Sequence, residues 1–231
     1  MEQRMHESEP TPAYGASEHY DAEYFAWQNA GMQVKVRYKT IRFAPHVSKE
    51  DVVLDFGCAG GALLDSLNCR EKLGVEINPV ARAAAGERGI DTFATLESVP
   101  EQVADVVISS HTLEHIPDPY TALVQLKGKI KTGGKLVLLL PIDDWRRGRK
   151  YRPGDINNHL YTWSPLLLGN LLSEAGYSVS EGDIRTVRHA FMRHFDKFDD
   201  RLPRPVFDAL CKVWAYVRHS QELVAVARPR H

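Results

Sequence analysis

A glycine-rich turn and an acidic residue downstream of it are the residues of this sequence best suited to binding chemistry. The turn lies in Asp55-Phe56-Gly57-Cys58-Ala59-Gly60-Gly61, directly after the apolar run Val52-Val53-Leu54. Glycine allows a tight turn and a close approach of the backbone to a ligand. Glu76 follows the second apolar run, about 20 residues after Asp55, where nucleotide-binding folds place the acidic residue that accepts hydrogen bonds from ribose hydroxyls. We therefore expect a nucleoside ligand at this turn.

The charge of Asp55 restricts the kind of nucleoside. In the dinucleotide fingerprint G-x-G-x-x-G, Gly57 and Gly60 would be the last two glycines, and Asp55 would stand at the first. A carboxylate there would repel a pyrophosphate in a poorly solvated crevice. S-adenosylmethionine has no phosphate, and its ammonium and sulfonium groups favour a nearby negative charge. The alternative, a dinucleotide-dependent oxidoreductase, is disfavoured for the same reason.

Strands and helices alternate along the chain. Short apolar runs predict seven strands, at 52–57, 73–77, 92–94, 105–109, 135–140, 177–179 and 223–227. Helices are expected between them, one of them beginning at the N-cap Ser164 and at Pro165 in the first helical position. This alternation is typical of a doubly wound α/β fold, in which helices cover both faces of a mostly parallel sheet.

The chain length of 231 residues predicts one domain. We expect a disordered tail at 1–16, a domain over 17–231, an N-terminal helical cover at 17–46 and a helical insertion at 186–219 between the last two strands. The insertion could be a lid, an oligomer contact or a helix that covers the sheet. Its helix is expected to carry Phe207, Leu210, Val213, Trp214 and Val217 on one face.

Composition excludes several classes of protein. The net charge of −1 argues against non-specific electrostatic attraction to nucleic acid or to anionic membranes. Three widely spaced cysteines form no disulfide framework, which favours a reducing compartment. Neither a signal peptide nor an apolar run of about 18 residues is found, so we expect a cytoplasmic protein with no membrane span.

Several motifs resemble those of class I S-adenosylmethionine-dependent methyltransferases. Residues 53–61 resemble the first motif of that family, 74–78 the second, 104–119 the region of the fourth strand, and 223–229 the antiparallel seventh strand. The resemblance implies S-adenosylmethionine as cofactor, with its methionine end near the first motif and its ribose at the second. The cofactor-binding residues it implies are Asp55, Gly57, Cys58, Gly60, Glu76, Ile77, Asn78, Ser109 and His111.

Three histidines are candidates for a general base, which is needed only if the acceptor must lose a proton. They are His111 and His115 after the fourth strand, and His159 after the fifth. Each could equally be a hydrogen-bonded structural residue. The pattern His111-x-x-Glu114-His115 also matches some zinc peptidases, but those need one long helix, whereas prolines follow here. Ubiquinone-pathway O-methyltransferases resemble this stretch with Glu-x-x-Glu-His, from which His111 departs. We expect no metal.

The acceptor is suggested by a cluster of basic and aromatic residues after the fifth strand. Arginine forks suit phosphate and carboxylate groups, so this cluster favours an anionic acceptor; the alternative is a solvated loop. The expected acceptor-binding residues are Arg146, Arg147, Arg149 and Tyr151. The motif of enzymes that methylate base amines is missing after the fourth strand, which disfavours nucleic acid. We therefore expect O-methylation of a small or glycan-type acceptor. Transfer to an amine or a carbon and a non-catalytic cofactor-binding scaffold are the alternatives.

Overall fold

The computed structural model describes residues 32–143, 150, 158–188 and 201–230. The expected tail at 1–16, residues 17–31 of the expected N-terminal cover and residues 189–200 of the expected insertion lie outside these ranges. Among the described residues, no helix combines the length and the apolarity that crossing a bilayer requires.

Eight strands and six α-helices make up the described part of the chain. The strands are β1 (Val52–Phe56), β2 (Glu71–Val75), β3 (Asp91–Phe93), β4 (Ala104–Ser110), β5 (Ile130–Ile142), β6 (Tyr177–Ser178), β7 (Ile184–Arg188) and β8 (Gln221–Pro229). The helices are α1 (Met32–Phe43), α2 (Ala62–Asp65), α3 (Pro79–Gly86), α4 (Pro119–Lys129), α5 (Pro165–Glu174) and α6 (Arg204–Arg218).

The strands form one mostly parallel sheet in the order β3-β2-β1-β4-β5-β8-β6, with β7 also paired to β8. Strands β1 to β5 run parallel to their neighbours, and β8 runs antiparallel to β5. The expected doubly wound fold with an antiparallel last strand is therefore confirmed. Because β8 is reversed, its amino end lies at the same edge of the sheet as the carboxyl ends of β1 to β5.

The sheet has eight strands where seven were expected, because the sixth is divided in two. The β6 residue Tyr177 pairs with Pro229 of β8, and farther along the same strand Ile184 of β7 pairs with Ala225. Charged and polar residues alternate with apolar ones in β7 (Ile184-Arg185-Thr186-Val187-Arg188), so no continuous apolar run marks this strand. The expected insertion beginning at residue 186 therefore starts inside a strand.

Three helices begin with the same N-cap arrangement, directly after a strand or the loop that follows it. Asn78, Asp118 and Ser164 are the N-caps of α3, α4 and α5, and each side-chain oxygen accepts a hydrogen bond from a backbone N–H in the first turn. A proline follows each cap, in the position where its missing N–H costs nothing. The expected start of α5 at Ser164 and Pro165 is confirmed.

Apolar residues fill both faces of the sheet. Along β5, Leu136, Leu138 and Leu140 belong to one buried cluster, whereas Val137 and Leu139 belong to the other. The first cluster is completed by helices α4 and α5, and the second by α2 and the end of α1. Burial on both faces explains why the central strands are continuous apolar runs.

Of the apolar face expected for α6, one residue of five is buried. This residue, Phe207, shares the inner face of the helix with Cys211 and Ala215. The other four members of the expected face, Leu210, Val213, Trp214 and Val217, are exposed. The helix therefore approaches the rest of the fold through its small residues and turns its larger aliphatic side chains outward.

Candidate active site

The turn after β1 is built around backbone conformations that favour glycine. Gly57 and Gly61 have φ angles of +81° and +77°, and Ala59 has +48°. A Cβ on Gly57 would lie 2.2 Å from Oγ1 of Thr112, so the turn and the segment after β4 touch directly. Gly60, which was expected to make the turn with Gly57, is not among the positive-φ glycines.

Glu76 ties this turn to the end of β2. One oxygen of its carboxylate accepts a hydrogen bond of 2.8 Å from the backbone N–H of Ala59, and the other accepts one of 2.8 Å from that of Asn78. Burial raises the pKa of Glu76, while the backbone hydrogen bonds act against this rise. Each oxygen keeps a further lone pair, so the carboxylate can still accept hydrogen bonds from a ligand.

Asp55 lies at the end of β1 with almost no exposed surface. Its Oδ1 atom has no hydrogen-bond partner among the described groups. Burial, with the nearby charge of Glu76, raises the pKa of Asp55 to about 7, although Lys39 opposes the rise. Lys39 extends into this region from α1. Burial lowers the pKa of Lys39, although the negative charges of Asp55, Glu222 and Glu114 oppose this shift. The carboxylate of Asp55 is thus poised for a cationic ligand.

His111 is held between two carboxylates. Its Nε2 atom lies 2.9 Å from Oε1 of Glu222, and its Nδ1 atom lies 3.5 Å from Oε1 of Glu114. Burial lowers the pKa of His111, but the hydrogen bonds and charges of these two carboxylates outweigh it and raise the pKa to about 9. His111 is therefore an imidazolium at neutral pH, with Nε2–H donating to Glu222 and Nδ1–H facing Glu114 as an ion pair, and it has no lone pair to accept a proton.

His159 forms a pair with a single carboxylate, Asp143. Its Nδ1 atom donates to Oδ2 of Asp143 over 2.7 Å, which leaves Nε2 for another contact. Burial lowers the pKa of His159, but the hydrogen bond and charge of Asp143 outweigh this and raise it. The ring of His115 lies edge-on to that of His159, with centroids 4.9 Å apart. Burial lowers the pKa of His115, so this neighbour is neutral near pH 7.

Backbone contacts fix the loop that carries His159. The backbone N–H groups of Leu160 and Tyr161 donate to the carbonyl oxygen of Glu114, at 2.8 and 3.3 Å. The Tyr161 hydroxyl donates to the carbonyl of Pro117 over 2.7 Å. The Asp143 N–H donates to the hydroxyl of Thr162 over 3.0 Å. These contacts hold His159 at the same edge of the sheet as the glycine-rich turn.

Glu114, His115 and His159 also have a spacing that a metal ion could use. One ligand atom from each residue lies within 4.8 Å of the others, and the Glu114 side chain is fully buried. His111 is not part of this group, and residues 113–115 form a short 3-10 turn instead of a long helix. The zinc-peptidase arrangement of His-x-x-Glu-His is therefore absent from the described residues.

Comparison with known proteins identifies the family. A sequence family described as "Methyltransferase domain" matches residues 29–181, about two thirds of the chain. The chain belongs to this methyltransferase family. Its fold is shared with a solved S-adenosylmethionine-dependent methyltransferase, described below.

Three individual similarities accompany the family match. A ubiquinone biosynthesis O-methyltransferase of Salmonella arizonae is 37% identical over 97 residues, which are 36% of this chain and 40% of that relative. A possible histamine N-methyltransferase of Thermotoga maritima matches 73% of this chain and 81% of its own at 21% identity, with a TM-score of 0.59.

The third similarity is to a phosphoethanolamine N-methyltransferase of Haemonchus contortus in complex with phosphomonomethylethanolamine and S-adenosylhomocysteine. It matches 85% of this chain and 52% of its own at 14% identity, with a TM-score of 0.57. At these identities the two solved structures support the fold alone. The chain spans less than half the length of the Salmonella relative.

The methyltransferase brings most of the expected cofactor residues to one edge of the sheet. Ser109 at the end of β4 donates to the carbonyl of Phe56 over 2.9 Å, which joins β4 to the glycine-rich turn. Cys58 is buried in the same turn, and Ile77, directly after Glu76, is half-buried. Asn78 also lies there, but its side-chain oxygen caps α3. The expected acceptor residues Arg146, Arg147, Arg149 and Tyr151 lie outside the described residues.

Glu222, Lys39 and Asp143 are site residues that the sequence pattern does not single out as functional. Glu222 is the second residue of β8, and it is almost fully buried. An acidic residue at the start of an otherwise apolar antiparallel strand is a signal that could have identified it. Lys39 comes from a helix with no motif, and Asp143 directly follows β5, which is where strand-end ligand residues are expected.

Replacement of Gly57 by alanine tests the contact between the turn and Thr112. Gly89 is the matched control, since it also has a positive φ (+74°) but nothing within 4 Å of an added Cβ. We expect Gly89→Ala to cost about 1–2 kcal/mol of the free energy of unfolding through backbone strain. Gly57→Ala should cost about 1–3 kcal/mol more, because its methyl group overlaps Thr112.

Urea unfolding measures both values. Adding Thr112→Ala to Gly57→Ala should recover part of the extra loss, because it removes the two side-chain atoms nearest the new methyl group. Equal losses for Gly57→Ala and Gly89→Ala would contradict the tight contact.

Proposed function

We propose that this methyltransferase transfers the methyl group of S-adenosylmethionine to a hydroxyl oxygen of a small acceptor, with His159 as general base. The observation that carries the proposal is the pair of His159 and Asp143, at the sheet edge where the glycine-rich turn also lies. A carboxylate on Nδ1 holds the imidazole in one tautomer and directs the lone pair of Nε2 outward, as a base requires.

Charge and position support a cofactor pose across this edge. The buried carboxylate of Asp55 would pair with the ammonium group of the methionine end, and Lys39 would pair with its carboxylate. The two ribose hydroxyls would donate to the free lone pairs of Glu76, with Ile77 beside the adenine. Hydrogen bonds to an ionised group are worth about 1.5–3 kcal/mol each, so the ribose contacts would contribute substantially to affinity.

The transfer step needs little from the protein beyond position and one proton acceptor. The acceptor O–H gives its proton to Nε2 of His159 while its oxygen attacks the methyl carbon. The carbon–sulfur bond breaks and its electron pair stays on sulfur, which yields S-adenosylhomocysteine. Alignment of the two reactants can lower the barrier by about 7–11 kcal/mol, and a base adds roughly 10²–10⁴-fold when the acceptor must lose a proton.

The other two histidines are less suited to the base role. His111 already carries a proton at neutral pH, because Glu114 and Glu222 raise its pKa to about 9. We assign it to a positioning role, in which it holds these two carboxylates near the sulfonium. His115 has a lowered pKa, so it is the weaker base of the neighbouring pair.

Hydroxyl acceptors are supported by the Salmonella relative, whose name states O-methylation. An anionic or glycan-type acceptor is supported by the arginines of the segment after β5, which carry positive charge close in sequence to Asp143. Dihydroxybenzoate combines a hydroxyl group with an anionic carboxylate, and it is therefore a suitable first probe in a panel of phenols, hydroxy acids and sugar phosphates.

Cofactor binding should tighten as the pH rises through the pKa of Asp55. The raised pKa of about 7 means that Asp55 is mostly neutral at pH 6 and mostly ionised at pH 8. Since an ammonium group prefers the ionised form, affinity for S-adenosylhomocysteine should rise about tenfold over this range. Isothermal titration calorimetry measures this change.

Asp55→Asn should bind more weakly and lose the pH dependence between pH 6 and 8. Asp118→Asn is the matched control, because Asp118 is exposed and asparagine is an equally good N-cap for α4. A flat pH profile for the wild-type protein, or an unchanged profile in Asp55→Asn, would count against the proposed contact.

The base is tested by His159→Gln and Asp143→Asn. Transfer of a labelled methyl group to the panel should fall by about 10²–10⁴-fold in kcat for His159→Gln, and by less for Asp143→Asn, which keeps the base but loses its orientation. Affinity for S-adenosylhomocysteine should stay within about twofold in both variants. Activity of the wild-type protein should survive dialysis against EDTA.

Two outcomes would overturn the assignment of His159 as base. Full activity of His159→Gln would exclude a proton-accepting role. Loss of wild-type activity in EDTA, with recovery on addition of a divalent metal, would make Glu114, His115 and His159 a metal site instead.

A further inference from the structure

The outward face of α6 is an exposed aliphatic stripe. Val206, Leu210, Val213 and Val217 follow one another at intervals of four, three and four residues, which places them on one side of the helix. About half of the surface of Val206 and Leu210 is exposed, and about two thirds of that of Val213 and Val217. We call these four residues the α6 stripe. A continuous exposed apolar patch of this kind marks an interaction site in most monomeric proteins.

The helix that carries the stripe is firmly attached through its opposite side. Phe207, Cys211 and Ala215 are buried, and Tyr38 of α1 packs against them. The Tyr38 hydroxyl donates to the Asp208 carboxylate over 2.8 Å. The outward direction of the stripe is therefore set by packing on the inner face and by this hydrogen bond between two helices.

Helix α6 carries more basic than acidic residues. Helix α6 contains Arg204, Lys212 and Arg218 but only one acidic residue, Asp208. That acid already receives the Tyr38 hydrogen bond, and Arg37 lies 3.6 Å from it. The helix thus carries a net positive charge, although the net charge of the whole chain is −1.

Aromatic rings with arginines above them lie at the rim of the stripe. The guanidinium of Arg188 in β7 lies 4.2 Å from the centre of the Tyr216 ring, and that of Arg218 lies 5.5 Å from the centre of the Trp214 ring. Tyrosine and tryptophan suit the boundary between apolar and wet surroundings. Arginine can extend from such a rim toward anionic groups while its stem stays on apolar surface.

We propose that α6 docks on the surface of an anionic lipid bilayer, lying parallel to it with the α6 stripe in contact with the acyl boundary. An aliphatic face, aromatic residues beside it and basic residues along its border are the features of helices that lie in the membrane interface. The basic residues would contact anionic headgroups. This is binding to a membrane surface, and it requires no spanning helix.

Charge argues against a second copy of this chain as the occupant. In a two-fold dimer the stripe of one copy would face the stripe of the other, and the basic borders of both would meet. Like charges brought together at an interface are unfavourable. A layer of anionic lipid headgroups can contact the same basic residues without this repulsion.

Vesicle sedimentation of the full-length protein tests the proposal, with S-adenosylhomocysteine affinity as an independent check of folding. The probes are vesicles of phosphatidylcholine alone and of phosphatidylcholine mixed with phosphatidylglycerol. We expect binding to the mixed vesicles, at least about tenfold weaker binding to neutral vesicles, and weakening by salt.

Two pairs of substitutions separate the stripe from general surface charge. Val213→Asp with Val217→Asp should lower the affinity for mixed vesicles at least about tenfold. Leu166→Asp with Leu167→Asp adds the same two charges at exposed leucines in the first turn of α5, where acidic residues are tolerated, and should leave vesicle binding within about twofold of the wild type. Arg188→Glu with Arg218→Glu, at the two arginines on the rim, should remove most of the preference for anionic vesicles.

The proposal fails if the wild-type protein binds neither vesicle, or if both aspartate pairs lower binding equally. It also fails if the wild-type protein is a dimer by light scattering and the Val213→Asp, Val217→Asp variant is a monomer, since the stripe would then join two copies. All variants should keep their affinity for S-adenosylhomocysteine, so failure here would leave the proposed methyl transfer unaffected.

Discussion

The site depends on the confinement of four carboxylates at one edge of the sheet, where water is largely excluded. Asp55, Glu76, Glu114 and Glu222 repel one another, and burial of each charge is costly unless it is paired. His111, Lys39 and Arg82 supply the nearest positive charges. The carboxylates raise the pKa of His111, and burial raises the pKa of Asp55 to about 7. A cofactor that carries an ammonium and a sulfonium would relieve the remaining imbalance, whereas a pyrophosphate would increase it.

The direction of the last strand determines which side chains meet there. In a parallel sheet every strand ends at the binding edge, so residues that follow β1, β2, β4 and β5 come together. Strand β8 is antiparallel to β5, and its first residues therefore lie at this same edge. This reversal brings Glu222 to His111, 111 residues away in the sequence, with 2.9 Å between Oε1 and Nε2. The charge balance of the site thus involves both halves of the chain.

Local signals predict the parts of the fold that local physics determines. Buried strands and capped helices are readable because the apolar runs and the caps such as Ser164 act within a few residues. The glycine-rich turn and Glu76 were found in the same way. Lys39 and Glu222 were not, because their importance arises from packing between distant elements. The inner face of α6 was not predicted either, since close approach favoured the small residues Cys211 and Ala215 over larger aliphatic ones.

The three histidines differ in chemistry because their carboxylate partners differ in number and direction. His111 has a carboxylate at each ring nitrogen, so both nitrogens are occupied and the proton is retained. His159 has one carboxylate on Nδ1, which raises its basicity while leaving Nε2 available. His115 lies beside His159, and burial keeps it neutral. One residue type at one edge of the sheet therefore supplies a fixed cation, an oriented imidazole and a neutral neighbour, which no spacing rule in the sequence distinguishes.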